Sequence, residues 1–294
     1  MIEIRGGSFN DKLNKIIHSE WFYFTYIGMA LIIYRLTFAT IATTHVTMYL
    51  VAEVIATIVL VGLLMLNQNN RGALRHAPKK KSLTAISAKQ FLGWLAVITF
   101  LQFLFDPYMF GILSRLYKML GPSQVQDVSQ YFALPNLTDT DNLLITCIIA
   151  PIFEEILFRG LLLNAMVRYG EYFSIVSSSI AFGVAHGSFI QGTFAFLCGV
   201  LFGTVYLQYG LKATIPLHML TNILFGTLLD NMFYASGILN NQIILVLVVA
   251  FCITFAIGIL YRWFTRQEKV AVNYKTMAWL LLSPSWWLYV VFSM

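Results

Sequence analysis

Charge is scarce in this chain: only 11% of its 294 residues are Asp, Glu, Lys or Arg, under half the roughly 25% usual in soluble domains. A surface wetted on all sides is therefore excluded. Cysteine is scarce as well. Cys147, Cys198 and Cys252 each fall in an apolar run without CxxC spacing, which excludes a disulfide framework or zinc knuckle and leaves them as small core residues. There is no HExxH, no repeat of 20–50 residues and no low-complexity tract. No small-residue cleavage pattern follows the first long apolar run, so that run is expected to stay as an anchor rather than leave as a signal peptide.

What is present instead is apolar length. Hydrophobic residues make up 59% of the chain and gather into runs near the 20 or so residues that cross a bilayer. The expected fold is all-α, a polytopic membrane bundle of eight or nine helices forming one integral domain, 1–294. Spans are expected over Trp21–Ala42, Thr47–Leu66, Phe91–Phe110, Leu143–Leu163, Phe173–Phe189, Thr193–Tyr209, Ala213–Leu229 and Ile243–Leu260. A last apolar stretch from Met277 is broken by Ser283-Pro284-Ser285. The link between spans five and six is expected around Gln191-Gly192, and Gly199 with Gly203 forms a GxxxG spacing for close helix approach.

The few charges sort by loop. Arg71, Arg75, Lys79, Lys80, Lys81 and Lys89 follow span two, and Arg262, Arg266, Lys269 and Lys275 follow span eight. The loops after spans one and seven hold no Lys or Arg. The positive-inside rule then places the N-terminus in the cytoplasm. The net charge of +6 reports topology and contact with lipid head groups, so nucleic acid is not an expected partner. Asn136-Leu-Thr138 is a formal glycosylation sequon on an outer loop and carries little weight.

Ionisable residues inside apolar spans are costly and demand a reason. Glu154-Glu155-Ile-Leu-Phe-Arg159 puts three of them on about one turn of span four. Glu155 and Arg159 are four apart with the acid first, the better order for an ion pair, and a structural role fits them. Glu154 lies about 100° around the helix and is left without a local partner, which makes it the functional candidate. Phe182-Gly-Val-Ala-His186 in span five and His218-Met-Leu-Thr-Asn222 in span seven add an aromatic, two imidazoles and an amide at the same i, i+4 spacing. At 1.5 Å per residue, Glu154 and His218 fall roughly 10–15 Å from the inner face, and His186 about 5 Å nearer the outer side. Such a set can hydrolyse an acyl bond: a carboxylate with an imidazole deprotonates water, while a second imidazole and the amide stabilise the oxyanion. Taken singly, each histidine reads as an interhelical hydrogen-bonding residue and Asn222 as packing glue; their joint occurrence with Glu154 favours chemistry. Phe182 reads as a core aromatic shaping the pocket. Arg35 in span one and Glu53 in span two are expected to pair structurally.

Glu154-Glu155-xxx-Arg159, Phe182-xxx-His186 and His218-xxx-Asn222, in that order on successive spans, resemble the CAAX protease and bacteriocin-processing family, also called Abi. The resemblance covers Leu143 to Leu229. It implies a glutamate-dependent intramembrane endopeptidase in which Glu154 and His186 activate water, His218 and Asn222 form the oxyanion site, and Glu155 with Arg159 organises the cavity. It also implies a catalytic core of four spans, 142–230, and a peptide or lipidated-peptide substrate. Relatives cut prenylated CAAX termini or serve peptide maturation and bacteriocin self-immunity.

The expected localisation is a bacterial plasma membrane, with lipids and a peptide substrate as partners. No cofactor is expected; zinc on the histidines and glutamates ranks below metal-free water activation, since Arg159 already occupies Glu155. The alternative class is a non-catalytic scaffold that binds a membrane protein, although a scaffold has no need of an unpaired buried acid. A proton-coupled transporter calls for inverted repeats and paired broken helices, and neither is evident.

Overall fold

The computed structural model describes residues 20–41, 46–66, 85–104, 140–186, 189–224 and 282–293, with isolated positions at 250, 254, 278 and 280. Among the described residues every regular element is helical. In chain order these are α1 (Glu20–Ile41), α2 (Val46–Leu66), α3 (Ala88–Leu104), the helical run α4 (140–169), α5 (Glu171–Ala185), α6 (Phe189–Tyr209), α7 (Leu211–Ile223) and α8 (Pro284–Ser293).

Segments Tyr23–Ile41, Thr47–Leu66 and Gln191–Tyr209 are long and apolar enough to cross a bilayer, with mean hydropathy of 1.5, 2.5 and 1.3. Eight or nine crossings were expected, and the eighth lies almost wholly outside the described residues. The protein is an all-α membrane protein. α2 shows why such helices suit lipid: Leu50, Val51, Val54, Ile55 and Ile58 stand exposed on one side while Ala52, Ala56, Leu60 and Leu64 are buried on the other. The exposed face would be unfavourable in water and is favourable against acyl chains. The last apolar stretch resolves into α8. Its 10 residues rise about 15 Å, half the hydrocarbon thickness, and they pack inward on α1 and α5. Ser283 is hydrogen bonded to Thr25 and Ser285, and the Tyr289 hydroxyl donates to the Ala181 carbonyl.

The helices around the two glutamates turn back abruptly. Gly170 and Gly210 join α4 to α5 and α6 to α7 at φ of 117° and 75°, backbone that only glycine adopts without strain. α5 and α6 then lie antiparallel at very close range. A Cβ on Gly183 would meet the Gly192 carbonyl at 2.6 Å, one on Gly199 would meet Ser179 at 2.9 Å, and one on Gly203 would meet Ile175 at 3.2 Å. The GxxxG spacing thus serves the α5 contact. Gln191-Gly192 is not the link expected from its polarity; it sits inside α6, where Gly192 allows the backbone of α5 to approach. The turn comes earlier because α5 ends at Ala185.

α4 is not a regular α-helix. Ile145–Ile149 and Glu155–Leu163 are π-helical, with Ala150–Glu154 α-helical between them. Widened turns of this kind leave backbone groups that need outside partners. α1 closes one side of α4, the Tyr23 hydroxyl donating to the Ala165 carbonyl at 2.9 Å. Buried Cys147 and Cys198 carry free thiols.

Candidate active site

The second π-helical stretch begins at Glu155 and holds Arg159. Both are fully enclosed, at 0% and 1% exposure, and Arg159 Nη1 lies 3.0 Å from Glu155 Oε1. The guanidinium is further held by the faces of Phe182, 4.3 Å from its carbon to the ring centroid, and Phe202, at 5.3 Å. Its Nη2 donates to the Gly199 carbonyl at 3.4 Å. An arginine so enclosed forfeits hydration, and a carboxylate, two π faces and a carbonyl replace it. The Thr214 hydroxyl of α7 sits by Glu155 as well.

His218 of α7 joins this pair. Its Nδ1 lies 3.0 Å from Glu155 Oε1, and since a carboxylate only accepts, Nδ1 carries the hydrogen. Phe202 stacks on the imidazole with centroids 4.6 Å apart and Phe182 meets it edge-on at 5.9 Å. Ring and tautomer are therefore fixed, and Nε2 is the atom turned to the site. It faces Glu154 Oε2 at 3.7 Å. The Glu154 side chain is 24% exposed, against 0% for Glu155. Neighbours in sequence, the two acids differ in kind: one is sealed behind a cation, the other is partly open.

His186 caps the C-terminal end of α5 instead of lying within a span. Its Nδ1 is 2.9 Å from the Phe182 carbonyl and its ring meets Phe182 edge-on. The carbonyl accepts, so Nδ1 again bears the hydrogen and Nε2 is left with a lone pair. Glu154 and His218 are within electrostatic range. Phe182 is thus more than a core aromatic, since it touches both imidazoles and the guanidinium.

Asn222 is drawn to α4, its Nδ2 donating to the Thr146 carbonyl at 2.9 Å. The cause lies in the first π-helical stretch. There Ala150 N–H bonds to the Ile145 carbonyl, five residues back, so the next carbonyl, Thr146, should receive the N–H of residue 151. That residue is proline and has none. Asn222 supplies the missing donor with one of its two N–H bonds.

The structure thus gathers Glu154, Glu155, Arg159, Phe182 and His218 into one contact network, with His186 beside it and Asn222 one turn beyond His218. Sequence reasoning missed Phe202, indistinguishable among 24 phenylalanines, and Thr146, whose signal was a proline five residues downstream. Glu53 also differs from expectation. The Tyr34 hydroxyl donates to its Oε2 at 2.9 Å, while Arg35 acts on it only through space because the phenol reaches the buried carboxylate first. Among the described residues, no three His, Cys, Asp or Glu side chains converge as metal ligands.

No curated protein and no solved structure matches the chain. Residues 137–224, which include all seven motif residues, match the family model of Rce1-like proteins, type II CAAX prenyl endopeptidases. That stretch is similar to Rce1-like domains, consistent with the CAAX family of membrane proteases.

Proposed function

We propose that the protein is an intramembrane endopeptidase that hydrolyses a peptide bond of a membrane-associated peptide or lipidated peptide with water activated by Glu154. The observation that carries this reading is a partly open Glu154 facing His218 Nε2, while the sealed Glu155–Arg159 pair fixes the other side of that ring.

In this reading water gives a proton to Glu154, with the free Nε2 lone pair of His186 accepting its second O–H. The water oxygen bonds to the scissile carbonyl carbon. The resulting oxyanion takes hydrogen bonds from Nε2–H of His218, which enters the step as the imidazolium with its Nδ1–H on Glu155, and from the second N–H of Asn222. Collapse breaks the C–N bond, and the proton held by Glu154 passes to the leaving amine. Atoms and charge balance without a metal. The segment 142–230 acts as the catalytic core, in a bacterial plasma membrane with the N-terminus cytoplasmic.

The test uses the full chain in proteoliposomes with a fluorescent farnesylated peptide ending in Cys, two aliphatic residues and Ser, alongside membrane peptide profiles from cells. Glu154→Gln should lower turnover on the order of 10³-fold without moving the thermal unfolding midpoint, because its side chain is partly open. Turnover should survive EDTA; loss restored by zinc would replace this mechanism with a metal-based one. If wild type and Glu154→Gln give identical peptide profiles and rescue gene loss equally, the chain is a scaffold.

A further inference from the structure

The N-terminal spans lie outside the Rce1-like segment, yet they bring three polar side chains to Glu154. Glu53 is buried on the inward face of α2 and receives the Tyr34 hydroxyl of α1 at 2.9 Å. Tyr49, one turn before Glu53, brings a second phenol to the same carboxylate. Glu154 is within electrostatic range of Tyr34, Tyr49 and Glu53 alike. α2 also packs directly on 140–149, the part of α4 that leads to Glu154. Phe38 stacks on Tyr34 at 6.5 Å and meets Tyr49 edge-on at 5.2 Å, which fixes both rings.

A carboxylate has no hydrogen to give. Glu53 therefore turns both phenolic hydrogens toward itself, and each phenol oxygen is left as an acceptor. Tyr34 is closed off at 6% exposure. Tyr49 is only half-buried, the more open of the two phenols. A peptide cut within a bilayer must enter the site unwound, and its backbone N–H groups then find no water; leaving them unpaired is costly. His218 and Asn222 provide donors for the carbonyl. An acceptor for the amide side must come from elsewhere.

We propose that Tyr49 contacts the substrate, its phenol oxygen accepting a hydrogen bond from a backbone N–H of an extended peptide next to the scissile bond, and that Glu53 is the positioning residue that orients it. The inference rests on the endopeptidase reading and extends the site beyond the Rce1-like segment to α1 and α2.

The test is a double-mutant cycle with the farnesylated peptide and a series of its analogues, each N-methylated at one amide. Turnover is measured on the full chain in proteoliposomes, and binding on the Glu154→Gln variant. Tyr49→Phe should raise KM and Kd about tenfold with kcat within about twofold. One N-methyl analogue should lose about tenfold against wild type and nothing further against Tyr49→Phe. Glu53→Gln, whose amide can donate to the phenol oxygen and occupy it, should raise KM in the same direction. If every analogue loses the same factor against wild type and Tyr49→Phe, Tyr49 does not meet the backbone and the proposal is overturned. If the peptide binds and shows the coupling but is never cleaved, Tyr49 keeps its role and the hydrolase reading falls. A peptide neither bound nor cleaved overturns both.

Discussion

Among the described residues two carboxylates are enclosed in this bundle, Glu155 and Glu53, and the chain accommodates them by opposite means. Glu155 has a full counter-charge, Arg159, itself clasped between Phe182 and Phe202. Glu53 has the neutral Tyr34 phenol, with Arg35 acting only at a distance. An ion pair in low dielectric fixes geometry strongly, and losing one partner strands the other. A phenol–carboxylate bond is gentler and leaves the phenol oxygen free to accept a further bond. The first arrangement suits an imidazole whose orientation must not vary. The second suits a wall that meets a variable peptide.

The largest effect that would expose this difference is at Glu155. Glu155→Gln removes the charge opposite Arg159 and the acceptor that fixes His218 Nδ1, so the fold should lose about 3–5 kcal/mol and turnover should fall with it. Thermal unfolding in detergent, read beside peptide turnover, checks this. A variant of unchanged stability would mean that Arg159 finds its compensation elsewhere.

Arg159→Lys sharpens the same side by keeping the charge and discarding the planar fork. A lysine cannot lie flat between two rings or reach the Gly199 carbonyl together with Glu155. A loss of about 1–2 kcal/mol is expected in the same unfolding measurement, smaller than that of Glu155→Gln because the counter-charge survives.

Much of this arrangement was legible as chemistry out of place. Glu154, Glu155, Arg159, His186, His218 and Asn222 stand out in apolar runs because hydropathy makes polar residues conspicuous there. The bounds of α1 and α2 and the C-terminal end of α6 followed from apolar length. The neighbours of those residues were not legible, for a related reason. Tyr34, Tyr49 and Phe202 read as ordinary membrane aromatics, although Tyr34 bonds the Glu53 carboxylate, Tyr49 lies beside it and Phe202 clasps a guanidinium together with Phe182. The π-helical turns of α4 left no periodic trace, since its apolar residues fill every face. Only Pro151 hinted that Thr146 would need a donor. The pairing drawn between Arg35 and Glu53 followed charge alone, and a phenol displaced it.

The smallest effect is the most discriminating. Glu53→Gln keeps an oxygen to accept the Tyr34 hydroxyl and strands no cation, so the unfolding midpoint should move by no more than about 1 kcal/mol. The same chemical change at Glu155 is expected to cost several times that. Glu53→Ala, which leaves the Tyr34 hydroxyl buried without an acceptor, should cost about 1–3 kcal/mol and so bracket the value from above. If Glu53→Gln proves as damaging as Glu155→Gln, Glu53 answers to a cation after all, with Arg35 within electrostatic range, and the contrast between the two acids is lost. If it is nearly silent in stability while KM rises, α2 holds its acid for the substrate and not for the fold.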